Sequence, residues 1–174
     1  MSKRKSLTRG ILAGAAGGLA ASWVMNVFMA GPGQKLQLAA TGVPEDAPNK
    51  EQHEEPKEDA TMKTADAIVS AATGGHHLTW SQKKRGGPIV HYTFGACVGA
   101  FYGGLAEYYR GATVGFGTTF GGVLFGVADM LAVPALDLSS SKNSSVSSLA
   151  SPFAGHVVYG VTTEVVRRAT RALI

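Results

Sequence analysis

Four stretches of the chain run for about 20 residues with almost no charged side chain, and at 1.5 Å per residue that length crosses ~30 Å of hydrocarbon. They cover residues 10–31, 88–109, 111–136 and 149–166. Pro88 and Pro152 stand at the starts of the second and fourth stretches, where a missing N–H costs little, so both read as first-turn prolines. Between the first two stretches, residues 43–59 hold three prolines and seven acidic side chains. Such a segment cannot bury enough apolar surface to fold by itself and reads as a mobile, solvated tether. Beyond it, Met62, Ala65, Val69 and Ala72 share one helical face, which predicts a short helix over 60–74 lying on a membrane surface or on the bundle. Trp80 then falls at headgroup level. The Ser-rich residues 139–148 read as a flexible outer turn. The expected fold is all-α: one membrane domain over 1–174, a four-transmembrane-helix bundle with a short surface helix in its first outer loop.

Composition alone hides this pattern. With 174 residues, 45% hydrophobic, and a mean hydropathy of +0.08, the chain resembles a soluble domain on average. The polar 31–87 region offsets the apolar stretches. The net charge of +4 does not point to nucleic acid, because the Lys and Arg residues cluster beside apolar segments without an aromatic-interleaved basic face. Cys97 is the single cysteine, which excludes an intrachain disulfide and a CxxC metal site. The first apolar stretch is longer than a signal-peptide core and lacks a small-x-small cleavage site near Phe28 and Ala30, so an uncleaved anchor is expected.

Basic residues near the stretches set the orientation. With the N-terminus inside, Lys3, Arg4, Lys5, Arg9, Arg110, Arg167, Arg168 and Arg171 face the cytoplasm, against Lys35, Lys83, Lys84, Arg85 and Lys142 outside. This excess predicts both termini in the cytoplasm.

Most of the 23 glycines fall inside the apolar stretches. Gly14 and Gly18, then Gly95, Gly99 and Gly103, then Gly117 and Gly121, recur every four residues, as do Gly122 and Gly126. In lipid such spacing lets helix backbones approach, here expected mainly within one chain. The second and fourth stretches share His-x-x-aromatic-Gly after a proline: His91 to Gly95, and His156 to Gly160. The first and third each follow Arg-Gly and carry a polar residue before an outer proline, Asn26 before Pro32 and Asp129 before Pro134. Two tandem hairpins account for this correspondence. It also places Asn26, His91, Asp129 and His156 at one depth, about 5 to 9 Å along their helices from the outer prolines. Near the inner ends, Glu164 precedes Arg167 and Arg168 by three and four residues, and Glu107 precedes Arg110 by three. Local, snorkelling ion pairs are expected there, with a cross-helix pair such as Glu107 to Arg168 as the alternative. No catalytic motif, cofactor signature or metal-ligand spacing occurs, so no enzyme activity, cofactor or metal is expected.

These residues resemble the YagU-like bacterial inner-membrane proteins, a family of unknown biochemical function, mainly over 88–174. The resemblance rests on His91, Phe94, Tyr102, Ala106 and Glu107; on Gly117, Gly121 and Pro134; and on Gly155, His156, Glu164, Arg167, Arg168 and Arg171. Asp129 departs from it, standing where the family has a histidine. The resemblance implies an inner-membrane helical bundle and supplies no reaction. The expected function is a small inner-membrane protein that responds to protons, or handles a small ion, through Asn26, His91, Asp129 and His156. The alternative is a packing or scaffold module whose glycine faces bind the same chain or another membrane protein within the lipid bilayer.

Overall fold

The computed structural model describes residues 5–42, 58–138 and 146–174. Helix α1 (Leu7–Ala30) opens at Ser6, whose hydroxyl accepts the Arg9 N–H, and breaks at Gly31. Pro32 then starts α2 (Pro32–Thr41) at a position that needs no donor, and Gly42 in the left-handed conformation ends it. The sequence reading had no helix here. Asp59 caps α3 (Ala60–Thr73) by accepting the Met62 N–H at 2.8 Å, and Gly74, with φ +74°, closes it. The expected helix over 60–74 thus forms. It docks on the following helix through Ala65, Thr61 and Met62, which lie against Gly86 and Gly87.

Helix α4 (Trp80–Tyr108) begins eight residues before the expected start at Pro88. The Gln82 side chain accepts the Thr79 N–H at 2.8 Å and so nucleates the helix upstream. Pro88 is therefore an interior proline, not a first-turn one. Pro152, by contrast, sits in the first turn of α7 (Ala150–Leu173).

The third apolar stretch is not one continuous helix. Residues Arg110–Gly117 form a tight turn in which Gly115, Phe116 and Gly117 all have positive φ. Regular helix starts at Thr118 with α5 (Thr118–Phe125). The helix then widens to π spacing over Gly126–Ala132 before a last turn, α6 (Val133–Ala135). The Val133 N–H reaches back five residues to the Ala128 carbonyl. Pro134 explains the widening: in α spacing its ring would collide with the Met130 carbonyl, and the wider turn avoids the collision.

Among the described residues there is no strand, and three segments are long and apolar enough to cross a membrane: Leu7–Ala30, Trp80–Tyr108 and Arg110–Ala135. Helix α7 has 24 residues, a matching length, but Glu164 and three arginines lower its hydropathy. The acidic tether lies outside the described residues, apart from Glu58 and Asp59. So does most of the Ser-rich turn, which ends in a single 3-10 turn at Val146–Leu149.

Side by side, the long helices run in the order α4, α1, α7, α5. The core between them is unusual in having few large apolar side chains: Ala13 and Ala21 are fully buried, and the buried aromatics are Tyr102, Phe125 and Tyr159. Large apolar groups lie outside instead, with Phe101 71% and Ile89 66% exposed, as befits a surface compatible with lipid.

Glycine makes the contacts. A Cβ on Gly99 would land on the Gly14 carbonyl oxygen and 2.7 Å from Gly18 Cα; one on Gly103 would lie 2.7 Å from Gly14 Cα. Gly95 faces Gly18 and Ser22 in the same seam, which Gly10 extends to Gly103 and Glu107. On its other side α1 meets α7, where a Cβ on Gly17 would lie 2.6 Å from the Thr163 carbonyl. A second seam joins α5 to α7: Gly117 abuts Gly160, and Gly121 abuts the His156 carbonyl. The two antiparallel pairs, α1 with α4 and α5 with α7, each carry such a seam. Gly95 and Gly160 occupy corresponding places in the shared His-x-x-aromatic-Gly pattern.

Candidate functional site

The charged residues near the ends of α4 and α7 form two groups: Glu164 pairs with Arg167 and Arg168 within α7 as expected and gains Tyr102 from α4, whereas Glu107 pairs across helices. Glu164 is fully buried. Its carboxylate accepts from Tyr102 Oη at 2.8 Å, from Arg167 Nε and Nη2 at 2.7 and 2.9 Å, and from Arg168 Nε at 2.5 Å. Arg167 is only 7% exposed, so it does not snorkel. Arg168 covers the Phe116 ring at 4.6 Å, which anchors the left-handed turn. Glu107 binds neither Arg110 nor Arg168. It takes a two-pronged bond from Arg171, Nε to Oε1 at 2.6 Å and Nη2 to Oε2 at 3.1 Å, and also the Ser6 N–H. Arg110 makes no ion pair among the described residues. Arg171 lies a helical turn beyond Arg168, and spacing within one helix does not encode its pairing with α4. Tyr102 was equally hard to foresee as a carboxylate donor, because nothing in its neighbours along the chain is acidic.

Above this cluster, Tyr102 stacks on Phe120 with centroids 4.2 Å apart, which closes the ring of helices between α4 and α5. Farther out, α4 and the π segment diverge. They leave a cavity of about 460 Å³, walled by α1, α4, the π segment and α7, with Ala60, Thr61 and Thr64 of α3 along its side. His91, Asp129 and His156 all line it. Asn26 does not: its amide donates to the Tyr92 hydroxyl at 3.4 Å. Three of the four polar residues at the expected depth therefore share one cavity, and the fourth belongs to the α1–α4 contact.

His156 Nδ1 lies 2.9 Å from the Pro152 carbonyl and 3.4 Å from Asp129 Oδ2. Both neighbours are acceptors, so Nδ1 carries the hydrogen and Nε2 keeps its lone pair in the neutral ring. His91 Nε2 faces the Ser22 carbonyl at a longer 3.5 Å, which by the same reasoning leaves its Nδ1 as the acceptor. The Asp129 side chain is 33% exposed and that of His156 12%. Among the described residues no three His, Cys, Asp or Glu side chains come close enough to hold a metal ion.

The side wall has its own latch. Asp66 of α3 accepts the Leu78 N–H at 2.6 Å and lies 3.0 Å from both Lys83 Nζ and His77 Nδ1. The Leu78 N–H, with help from Lys83 and His77 and against the opposing effect of burial, holds the Asp66 carboxyl down at about 2. A folded-state value below the unfolded one means that the latch contributes above the ordinary carboxylate range and fades as pH falls through about 2. Docking of α3 is expected to persist through mild acid and to weaken between about pH 4 and 2. Asp66→Asn should raise amide exchange across Ala60–Thr73 at pH 7, without protecting Leu7–Ala30 or exposing it. Unchanged exchange in α3 would mean that packing on Gly86 and Gly87 holds it unaided.

No curated protein and no solved structure matches the chain. Residues 41–165, which run from the end of α2 to just past Glu164 in α7, match the model of a family described as "Protein of unknown function (DUF1440)". With that match covering well over half its length and taking in His91, Asp129, His156 and Glu164, the chain belongs to the DUF1440 family.

Proposed function

We propose that this protein is a four-span inner-membrane protein whose outer cavity responds to protons through His91, Asp129 and His156. The observation that carries the reading is that these three ionisable groups, from three different helices, line a single mostly apolar cavity. Ionisable side chains at such depth are costly and usually mark a working site. Helix α7 is counted as the fourth span because its charges are paired inside the bundle, where hydropathy averages do not register the pairing. The YagU-like resemblance and the inner-membrane location fit the same residues, with α3 taken as a helix at the outer interface.

Protonation has a direct mechanical meaning here. A charged His156 beside Asp129 turns a 3.4 Å contact into a charge-assisted one and draws the π segment toward α7. Continuous ion conduction is less favoured, because the Tyr102–Phe120 stack and the Glu164 cluster close the inner end. The scaffold alternative is weakened by the glycine seams, which are occupied within the chain.

In reconstituted protein, a conformational change is expected between about pH 5 and 7.5, the range in which imidazoles change charge. A His91→Gln, His156→Gln double variant that still folds should lack it. Fluorescence of Trp23 and Trp80 reports the change, and a response that survives in the double variant removes the reading. The Asp66 latch contains an imidazole of its own, so a His77→Gln variant, which should keep the response, separates the latch from the cavity. Topology offers a separate check. Reporters fused after Asn49 and Asn143 should lie outside, and those at the N-terminus, after Arg110 and at Ile174 inside. A cytoplasmic reporter after Asn49 would overturn the orientation.

A further inference from the structure

We infer that the outer cavity is a binding site for amphiphilic amines: an apolar body carrying a protonated amino group. The inference rests on the proposed working role of the same cavity and adds the chemistry of its occupant.

The walls are apolar over most of their area, with Met25, Met29, Phe94 and Leu124 among them, and the volume lies within the 300–1,000 Å³ usual for small-ligand sites. The polar groups decide what enters. Tyr159 spends its hydroxyl hydrogen on the Gly95 carbonyl at 2.6 Å, Thr64 on Ala60 at 2.7 Å and Thr61 on Asp59 at 2.7 Å. His156 and His91 direct their N–H groups to backbone carbonyls. What they leave for a ligand is lone pairs: His156 Nε2, His91 Nδ1 and the Asp129 carboxylate. The π spacing adds another. In that spacing Pro134 would be the donor to the Asp129 carbonyl, and proline has no N–H. Among the described lining residues the Ser22 hydroxyl has no partner, but it is fully buried against Gly95 and out of a ligand's reach.

A cavity whose free polar groups are acceptors, one of them anionic, suits a ligand that donates hydrogen bonds and carries positive charge. A carboxylate or phosphate headgroup would meet Asp129 as a like charge. A neutral alcohol would satisfy one acceptor but leave the carboxylate unpaired in an apolar wall, which is costly. A single-chain ammonium does both jobs, with its tail along the methionines and its N–H groups on Asp129 and an imidazole.

Protons oppose such a ligand. Charging His156 or His91 converts an acceptor into a donor and adds positive charge beside the amine. The titratable groups lining the cavity are His91 from α4, Asp129 from the π segment, and His156 and Tyr159 from α7, the tyrosine with its hydroxyl hydrogen held by the Gly95 carbonyl. The lining residues of α1 and α3 are not titratable, and Asp66, Lys83 and Glu58 pair with one another outside it.

The test is saturable binding of radiolabelled dodecylamine to the purified full chain in nanodiscs at pH 7.5, with protein-free nanodiscs as the blank. Competition by unlabelled dodecylamine should exceed that by 1-dodecanol or dodecanoate by at least about tenfold, the scale of one charge-assisted bond. Asp129→Asn should weaken amine binding by a similar factor. Ala132→Trp, which fills the cavity while leaving Asp129 and both histidines in the sequence, should abolish it. Lowering the pH to 5 should weaken wild-type binding. Equal competition by dodecanol, preference for dodecanoate, or full binding in a folded Ala132→Trp variant would each overturn the inference. If the amine does not bind but the ligand-free pH response persists, the amine inference alone falls. Loss of that response in the wild type removes the proton-responsive reading beneath it.

Discussion

Gly99→Ala is expected to destabilise the fold by about 3 kcal/mol or more, although it adds a single methyl group. The added Cβ has no free space, since the Gly14 carbonyl occupies its position and Gly18 Cα lies 2.7 Å away. Both obstacles are backbone, so no side chain can swing aside, and α1 and α4 must separate along the whole seam. Gly99→Leu should prevent folding outright. Gly126→Ala provides the control: no atom lies within 4 Å of its Cβ position, and the backbone there is right-handed helical. That variant should match the wild type or gain up to about 1 kcal/mol from helix propensity. Thermal unfolding in detergent distinguishes the cases, and equal midpoints for Gly99→Ala and Gly126→Ala would mean that the α1–α4 seam is not what holds the bundle.

Glu164→Ala is expected to cost about 3 to 5 kcal/mol, the range for removing one partner of a buried ion pair. The loss comes less from the broken bonds than from Arg167, which is left 7% exposed without the carboxylate that binds it. Arg168 is different: its side chain is half exposed and can turn to water. Tyr102→Phe removes one hydrogen bond to the same carboxylate and should cost about 1 to 2 kcal/mol. A Glu164→Leu, Arg167→Leu double variant should regain most of the loss, because no unpaired buried charge remains. If the double variant is no more stable than Glu164→Ala, the cluster contributes through its geometry and not by charge balance.

The apolar stretches were legible because length and absence of charge are local properties. The glycine spacing was legible too, for the same reason, although it could not reveal that Gly10, Gly17 and Gly160 complete the seams. Capping by Gln82 moved the start of α4 away from Pro88, since a capping residue outweighs a proline that the helix can accommodate. The break at Arg110–Gly117 was hidden by its apolar composition: Phe116 looks like a lipid-facing residue until the left-handed backbone turns it onto Arg168. Common depth brought out His91, Asp129 and His156, but depth says nothing about the direction a side chain takes around its helix. Asn26 shares the depth and bonds to Tyr92 instead. Likewise the pairing of Arg171 with Glu107 depends on two helices meeting, which no spacing within either one encodes.

Because the seam between α5 and α7 ends at Gly121, the bundle has the mechanics of a lever. Helices α1, α4 and α7 meet backbone to backbone at Gly14, Gly17, Gly18, Gly99 and Gly103 and behave as a fixed frame, whereas beyond Gly121 the third apolar segment meets α7 through side chains such as Phe125 and Asp129. The pivot is the Gly117 and Gly121 contact, and Asp129 sits eight residues past it, an arm of about 12 Å. A tilt of about 5° at the pivot therefore moves the Asp129 backbone by about 1 Å, enough to make or break its contact with His156.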